Sequence, residues 1–200
     1  MIMRIPLCTS KCMQLVLVYR QVMGLIKLFI IGATGYLLSG LYDVAVLYDK
    51  YLLKKGLYLG FFLTAVPYPI MFLTMRSPFG TGLLLLLLLL IFAFGALLAY
   101  SVLIEIPRSA NTAGALYRGG TYSFSRHPGF IWYTVVNILI AVYFWDIGIA
   151  LVCAGFVVCN LVLIAIEDSV LFPRMFPDYG EYRKEAPFFL SLQNVIHRRR

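Results

Sequence analysis

Residues 82–104 read GLLLLLLLLIFAFGALLAYSVLI, with no charged side chain and eight leucines in succession. About 20 apolar residues in helical form cross the hydrocarbon core of a bilayer. This stretch meets that length, and its reading decides the fold class: it is a helix made for lipid. A uniform leucine face offers neighbours little to interdigitate with, so the helix is expected to be lipid-facing scaffold.

Working outward, four more apolar segments lie at about 25–47, 56–75, 130–144 and 147–166. The segment at 130–144 is short, and only Trp145-Asp146 separates it from the next. That pair predicts a tight helical hairpin, or a helix that does not cross fully. The expected fold is an all-α, multi-pass transmembrane bundle of about five spans, four if the short one stops inside. Pro67 and Pro69 mark a kink, tolerated where neighbouring helices satisfy the freed carbonyls. Gly80-x-Gly82 reads as a turn. Three regions follow: an interfacial segment at 1–24, a three-helix scaffold at 25–104, and a region at 105–200 with the hairpin and a polar tail that ends in a helix.

Composition agrees. Hydrophobic residues make up 62% and charged residues 13%, with a mean hydropathy of +0.87; soluble domains carry roughly 25% charged residues. The net charge of +8 comes without a basic groove with interleaved aromatics, so no nucleic-acid partner is expected. Basic residues beside apolar spans set orientation and meet anionic lipid instead. With five crossings, one side receives Lys50, Lys54, Lys55, Arg108, Arg118, Arg126, Arg174, Arg183, Lys184 and Arg198 to Arg200. The other receives Arg4, Lys11, Arg20, Lys27 and Arg76. The richer side is expected to face the cytoplasm, in a bacterial inner membrane or the endoplasmic reticulum.

The N-terminus does not read as a signal peptide, because Arg20 and Lys27 interrupt its apolar run and no small-residue cleavage site follows. Cys8 and Cys12 lack partner histidines, and Cys153 and Cys159 lie in an apolar span. They read as small hydrophobes, with lipidation of Cys8 or Cys12 as the alternative, and no metal is expected.

The polar stretches are few. Residues 120–130, GTYSFSRHPGF, stand between two apolar regions and carry Arg126 and one of two histidines. Pro128 suits the first turn of a helix, which sets Arg126 and His127 at a helix N-terminus where anionic groups are favoured. The segment at 147–166 runs into Glu167-Asp168, and carboxylates at the end of a membrane helix are costly unless paired or wet. Beyond them, 176–187 reads FPDYGEYRKEAP, with Phe176, Tyr179 and Tyr182 spaced by three, which places their rings on one helical face. Asp43 reads as interfacial, and His197 with the three arginines after it reads as a lipid-surface tail.

Gly120-x-Tyr122-x-x-x-Arg126-His127-Pro128, a hydrophobic hairpin, Glu167, Tyr179-x-x-Tyr182 and Pro187 together resemble a family. It is that of the small integral-membrane methyltransferases related to isoprenylcysteine carboxyl methyltransferase and the phospholipid N-methyltransferases. The resemblance covers roughly the C-terminal region from Leu116 onward; the first three apolar segments match in hydropathy alone. It implies S-adenosylmethionine as cofactor, bound at the cytosolic end of the C-terminal helices, and a lipid or lipidated methyl acceptor that enters from the membrane.

By that resemblance, Arg126 and Glu167 are catalytic. Tyr122, His127, Pro128, Phe130, Glu167, Asp168 and Tyr179 contact the cofactor. Arg126, Trp132, Tyr182 and Arg183 contact the acceptor. The chemistry of the residues agrees: a helix N-terminus with Arg126 and His127 for a carboxylate, Glu167 and Asp168 for an ammonium or ribose hydroxyls, and aromatic rings for an adenine or a sulfonium.

The chain departs from the family at three places. Many members have tyrosine and then glycine where Phe130 and Trp132 stand, and Glu185 replaces the second arginine of the isoprenylcysteine enzymes. Two other classes therefore stand beside the methyltransferase: a catalytically inactive relative acting as a membrane module, and a relative of the membrane sterol reductases that bind NADPH.

Overall fold

The computed structural model describes residues 10–105 and 118–189, with side chains from Cys12 onward. Cys8, Arg108, and His197 with its arginines lie outside the described residues. Every regular element among those described is helical. They are α1 (Ser10–Leu47), α2 (Tyr51–Leu57), α3 (Leu59–Ala65), α4 (Pro67–Thr74), α5 (Thr81–Tyr100), α6 (Pro128–Phe144), α7 (Ile147–Ile166), α8 (Phe172–Met175) and α9 (Tyr179–Glu185). Two wide π-turns, Ser101–Glu105 and Glu167–Leu171, extend α5 and α7, and a 3₁₀ turn covers Gly120–Ser123.

Four stretches are long and apolar enough to cross a membrane: Cys12–Leu47, Tyr51–Thr74, Thr81–Glu105 and Ile147–Met175. The chain is an all-α, multi-pass integral membrane protein. The helix α6 is apolar but has 17 residues, about 25 Å at 1.5 Å per residue. The expected interfacial segment does not stand apart, since α1 runs unbroken from Ser10. Burial nevertheless begins at Leu25, and Cys12 to Val22 are exposed.

Proline sets the break in the second span. Pro67 opens α4, where its missing N–H leaves no hydrogen bond unmade, and Val66 bonds back to Phe62 at the end of α3. Beside it, α1 and α3 cross with backbones nearly touching. A Cβ on Gly35 would lie 2.6 Å from Thr64 N, and one on Gly60 2.7 Å from Ser39 N. Small residues permit such an approach, and van der Waals contact then holds helices that no hydrophobic force pulls together in lipid.

The long helices α1 and α7 lie parallel and in register. Leu25 meets Gly148, Gly32 receives the Phe156 ring, Gly40 meets Leu163, and Asp43 meets Glu167. The Phe29 and Phe156 rings stack at 5.8 Å in this seam. The leucine helix α5 packs on α6 through Phe94 and Trp132. Its Leu85, Leu86 and Leu89 face outward, as the uniform sequence predicts, and Leu87 alone is buried.

The α6–α7 hairpin closes as its sequence suggests. Trp145 takes the left-handed conformation (φ 49°) that ends α6, and the Asp146 carboxylate accepts the Ile149 N–H at 2.9 Å to cap α7. Residue 145 is where the chain needs a positive φ, and tryptophan accepts that strain with its ring 6.0 Å from Phe79.

Candidate functional site

The hairpin's turn lies at one end of the bundle and its open ends at the other, where α1, α5 and the tail also arrive. Pro128 opens α6 and is buried, which fixes Arg126 and His127 at that mouth. The tail folds back over them. Arg126 N donates to Pro187 O at 3.0 Å, Ser125 Oγ donates to Phe188 O at 3.2 Å, and Tyr182 Oη donates to Tyr122 O at 2.8 Å. The His127 ring stacks with Phe172 and leans on Phe188, with centroids 6.2 and 4.8 Å away.

Asp168 is the hub of this closure. It is 3% exposed, accepts from Tyr179 Oη at 2.5 Å, and faces His127 Nε2 at 3.3 Å. The Arg126 Nε lies 3.2 Å away and Arg183 Nη2 3.5 Å. One carboxylate thereby ties the α6 entrance to α7 and α9. Burial pushes His127 down to about 4, against the pull of Asp168. The imidazole is therefore neutral at pH 7, with its Nε2 proton directed at Asp168. Burial likewise raises the phenols of Tyr122, Tyr179 and Tyr182, so all three are neutral donors.

Glu167, adjacent in sequence, turns the other way. It lines a cavity of about 670 Å³ and hydrogen-bonds with Asp43 of α1. The π-turn that carries both acids widens α7 here; such insertions recur at functional sites. A second π-turn ends in Glu105, which is fully buried. Its carboxylate accepts the Thr121 N–H at 2.9 Å and the Thr121 hydroxyl, and it lines the same cavity.

Seven of the residues expected from sequence meet at this cavity: Tyr122, Arg126, His127, Phe130, Glu167, Tyr179 and Tyr182. Four stand elsewhere. Asp168 spends its oxygens on the protein contacts just described. Pro128 is structural. Trp132 points to Phe94 on α5, so its size does not obstruct the cavity wall, which passes through Gly129 instead. Arg183 approaches Asp168 from outside, with its side chain 46% exposed. Phe176 lies outside α9, ahead of its first residue, so it shares the cavity with Tyr179 and Tyr182 without sharing their helix.

Sequence reasoning missed Glu105 and the partnership of Asp43. The signal for Glu105 was the one that marked Glu167, an acid at the end of a long apolar run. Asp43 read as interfacial because Tyr48-Asp49-Lys50 follows it, and only the parallel seam with α7 brings it to Glu167.

Two buried donors find no acceptor among the described residues, Trp132 Nε1 and Arg126 Nε, and of the two only Arg126 lines the cavity. Its side chain is 9% exposed and lines the cavity. Its Nε, though near Asp168, makes no hydrogen bond, and no acceptor meets the rest of the guanidinium among the described residues. A buried guanidinium has five donors in a fork that fits a carboxylate or phosphate. Such a fork beside a cavity suits an anionic group. Compared with known protein families, with curated proteins and with solved structures, the chain gives no match.

Proposed function

We propose that this protein is an S-adenosylmethionine-dependent methyltransferase acting on a lipophilic, membrane-delivered acceptor. One observation carries the reading: residues from the 120–130 stretch, the 167 turn and the 176–182 tail line one cavity that continues among largely apolar side chains of α3, α5 and α7. Its volume, about 670 Å³, lies within the usual range for ligand sites.

The residues fit the cofactor. The donors of Arg126 suit its carboxylate. Glu167, backed by Asp43, and Glu105 suit its ammonium. The rings of Tyr122, Phe130, Tyr179 and Tyr182 suit its adenine and the face of its sulfonium. When bound, S-adenosylmethionine supplies a methyl group on a positively charged sulfur, which leaves as a neutral thioether. The chain's own part is to align the acceptor with that methyl and keep water out, and alignment alone lowers such barriers substantially. The tail, strapped over His127 through Phe188 and Pro187, supplies the water-excluding wall. An amine acceptor must first lose a proton, and a Glu167 carboxylate oxygen is the acceptor for it.

The mouth of the cavity faces the cytoplasm in this reading. Lys50, Lys54, Lys55, Arg118, Arg126, Arg174, Arg183 and Lys184 lie at its end of the bundle, and Arg20, Lys27 and Arg76 at the other.

The test is transfer of radiolabelled methyl from S-adenosylmethionine to a total lipid extract by purified protein in lipid nanodiscs, with Glu167→Gln and Arg126→Gln in parallel. Label in an organic-soluble product, lost in both variants, is expected. An intact protein that transfers nothing and binds no S-adenosylmethionine would reduce it to a non-enzymatic membrane module, and binding of a nicotinamide dinucleotide instead would make it a reductase relative.

A further inference from the structure

The cavity has a second polar level, deeper in the membrane than the charged mouth. The register of α1 on α7, with Gly32 at Phe156, Gly40 at Leu163 and Asp43 at Glu167, sets Tyr36 level with Asn160. Both line the cavity. From Asn160 to Glu167 is about 10 Å along the helix, at 1.5 Å per residue. Between the levels the wall is mostly apolar, with Leu163, Ile164, Leu98 and Val102; Ser39 also lines it, with its hydroxyl donated to Gly35 O at 3.0 Å.

At the deeper level three tyrosines form a network. Tyr68 Oη lies 2.5 Å from Tyr133 Oη and donates to Asn137 Oδ1 at 3.1 Å; the Tyr36 ring meets Tyr133 edge-on at 6.2 Å. Asn137 is used up, because its Nδ2 donates to Tyr133 O at 3.0 Å. Asn160 is not. It has two donors and an acceptor, yet it makes no hydrogen bond among the described residues. Asn160 is half-buried and lines the cavity, so its amide is free to meet a ligand there. A polar side chain inside a membrane span marks function by default.

We propose that Asn160, with the Tyr36–Tyr68–Tyr133 network opposite, is a subsite for the ester carbonyl of a bound glycerolipid. The lipid's charged head lies at the polar mouth of the cavity, and its ester linkage lies one polar level deeper. The Asn160 amide donates to the carbonyl oxygen. An isoprenoid chain has no acceptor at that depth and leaves Asn160 unmet, so the cavity discriminates against it. This deepens the proposed function by naming the class of lipid, and it rests on a lipid entering the cavity, not on the identity of the cofactor.

The test is binding of dioleoyl phosphatidylethanolamine and its diether analogue, which lacks both carbonyls, to detergent-purified protein by native mass spectrometry. A farnesylcysteine probe and an Asn160→Leu variant run alongside, with S-adenosylmethionine binding measured on the same material. The diester is expected to bind roughly three- to tenfold tighter than the diether, and the variant to hold both equally while keeping its S-adenosylmethionine binding. Equal binding of the two lipids by the intact protein overturns the subsite, with no variant needed. So does a variant that keeps the preference, or one whose only change is dissociation of a dimer, which would make Asn160 a helix–helix contact. Ester preference without S-adenosylmethionine binding would keep the subsite and remove the methyltransferase.

Discussion

The two ends of the α6–α7 hairpin are closed by opposite means. At the turn, Trp145 and Asp146 finish the job locally: a left-handed residue ends one helix and a carboxylate caps the next three residues on. At the mouth, closure needs partners distant in the chain. Asp168 draws in His127, Arg126, Tyr179 and Arg183, and Tyr182 reaches back to Tyr122. The local end leaves its capping groups satisfied. The mouth leaves a buried guanidinium short of acceptors beside a cavity. Under the proposed function, that difference marks the mouth as the end that serves a ligand.

The contrast breaks most sharply at Asp168. Asp168→Asn leaves Arg126 buried without its counter-charge, and breaking a buried pair costs about 3–5 kcal/mol. A large fall in thermal midpoint in detergent is expected, with faster proteolysis within α9. An unchanged midpoint would mean that the tail is held by its aromatic contacts alone.

Acid sharpens the same contrast through His127. Its folded pKa of about 4 lies below the usual value near 6.5. Between those values the unfolded chain takes up the proton and the folded chain does not, so folding stability falls as pH drops from 6.5 to 4. The loss is roughly 3 kcal/mol at most, since each unit is worth about 1.4 kcal/mol. Denaturant titrations at pH 7 and 4.5 should show it for the intact protein, with a visibly smaller difference for His127→Gln. Equal differences in the two proteins would mean that the imidazole is not held neutral.

The seam between α1 and α3 lies away from both ends and gives the control. Gly60→Ala forces a Cβ into the backbone of α1, and overpacking of this kind costs about 1–3 kcal/mol. The loss should be independent of pH across the His127 window. The smallest effect belongs to the turn: Asp146→Ala removes one cap, about 1 kcal/mol. Ligand binding at the mouth should not change. If it does, the two ends are coupled and the contrast fails.

Much of the fold was legible because membrane helices announce themselves by length and apolarity, as residues 82–104 and 147–166 do. The leucine face of α5 also read correctly, since a surface that specifies no packing meets lipid. What the sequence could not express was rotation about helix axes. Glu167 and Asp168 are neighbours in the chain, yet one faces the cavity and the other holds the tail, since successive residues on a helix point about 100° apart. Trp132 stood at a motif position and still points to Phe94 on α5. Glu105 and Asp43 became part of the site through the register of α1 on α7 and the bond from Thr121, neither of which leaves a local pattern.

The most direct test is calorimetric binding of S-adenosylmethionine to the protein in lipid nanodiscs, with Arg126→Gln and Glu167→Gln as mouth variants and Asp146→Ala as the turn variant. Saturable binding by the intact protein is predicted, weakened tenfold or more in both mouth variants and kept in Asp146→Ala. No binding by the intact protein, in lipid and in detergent alike, would contradict the account and leave the cavity to another ligand.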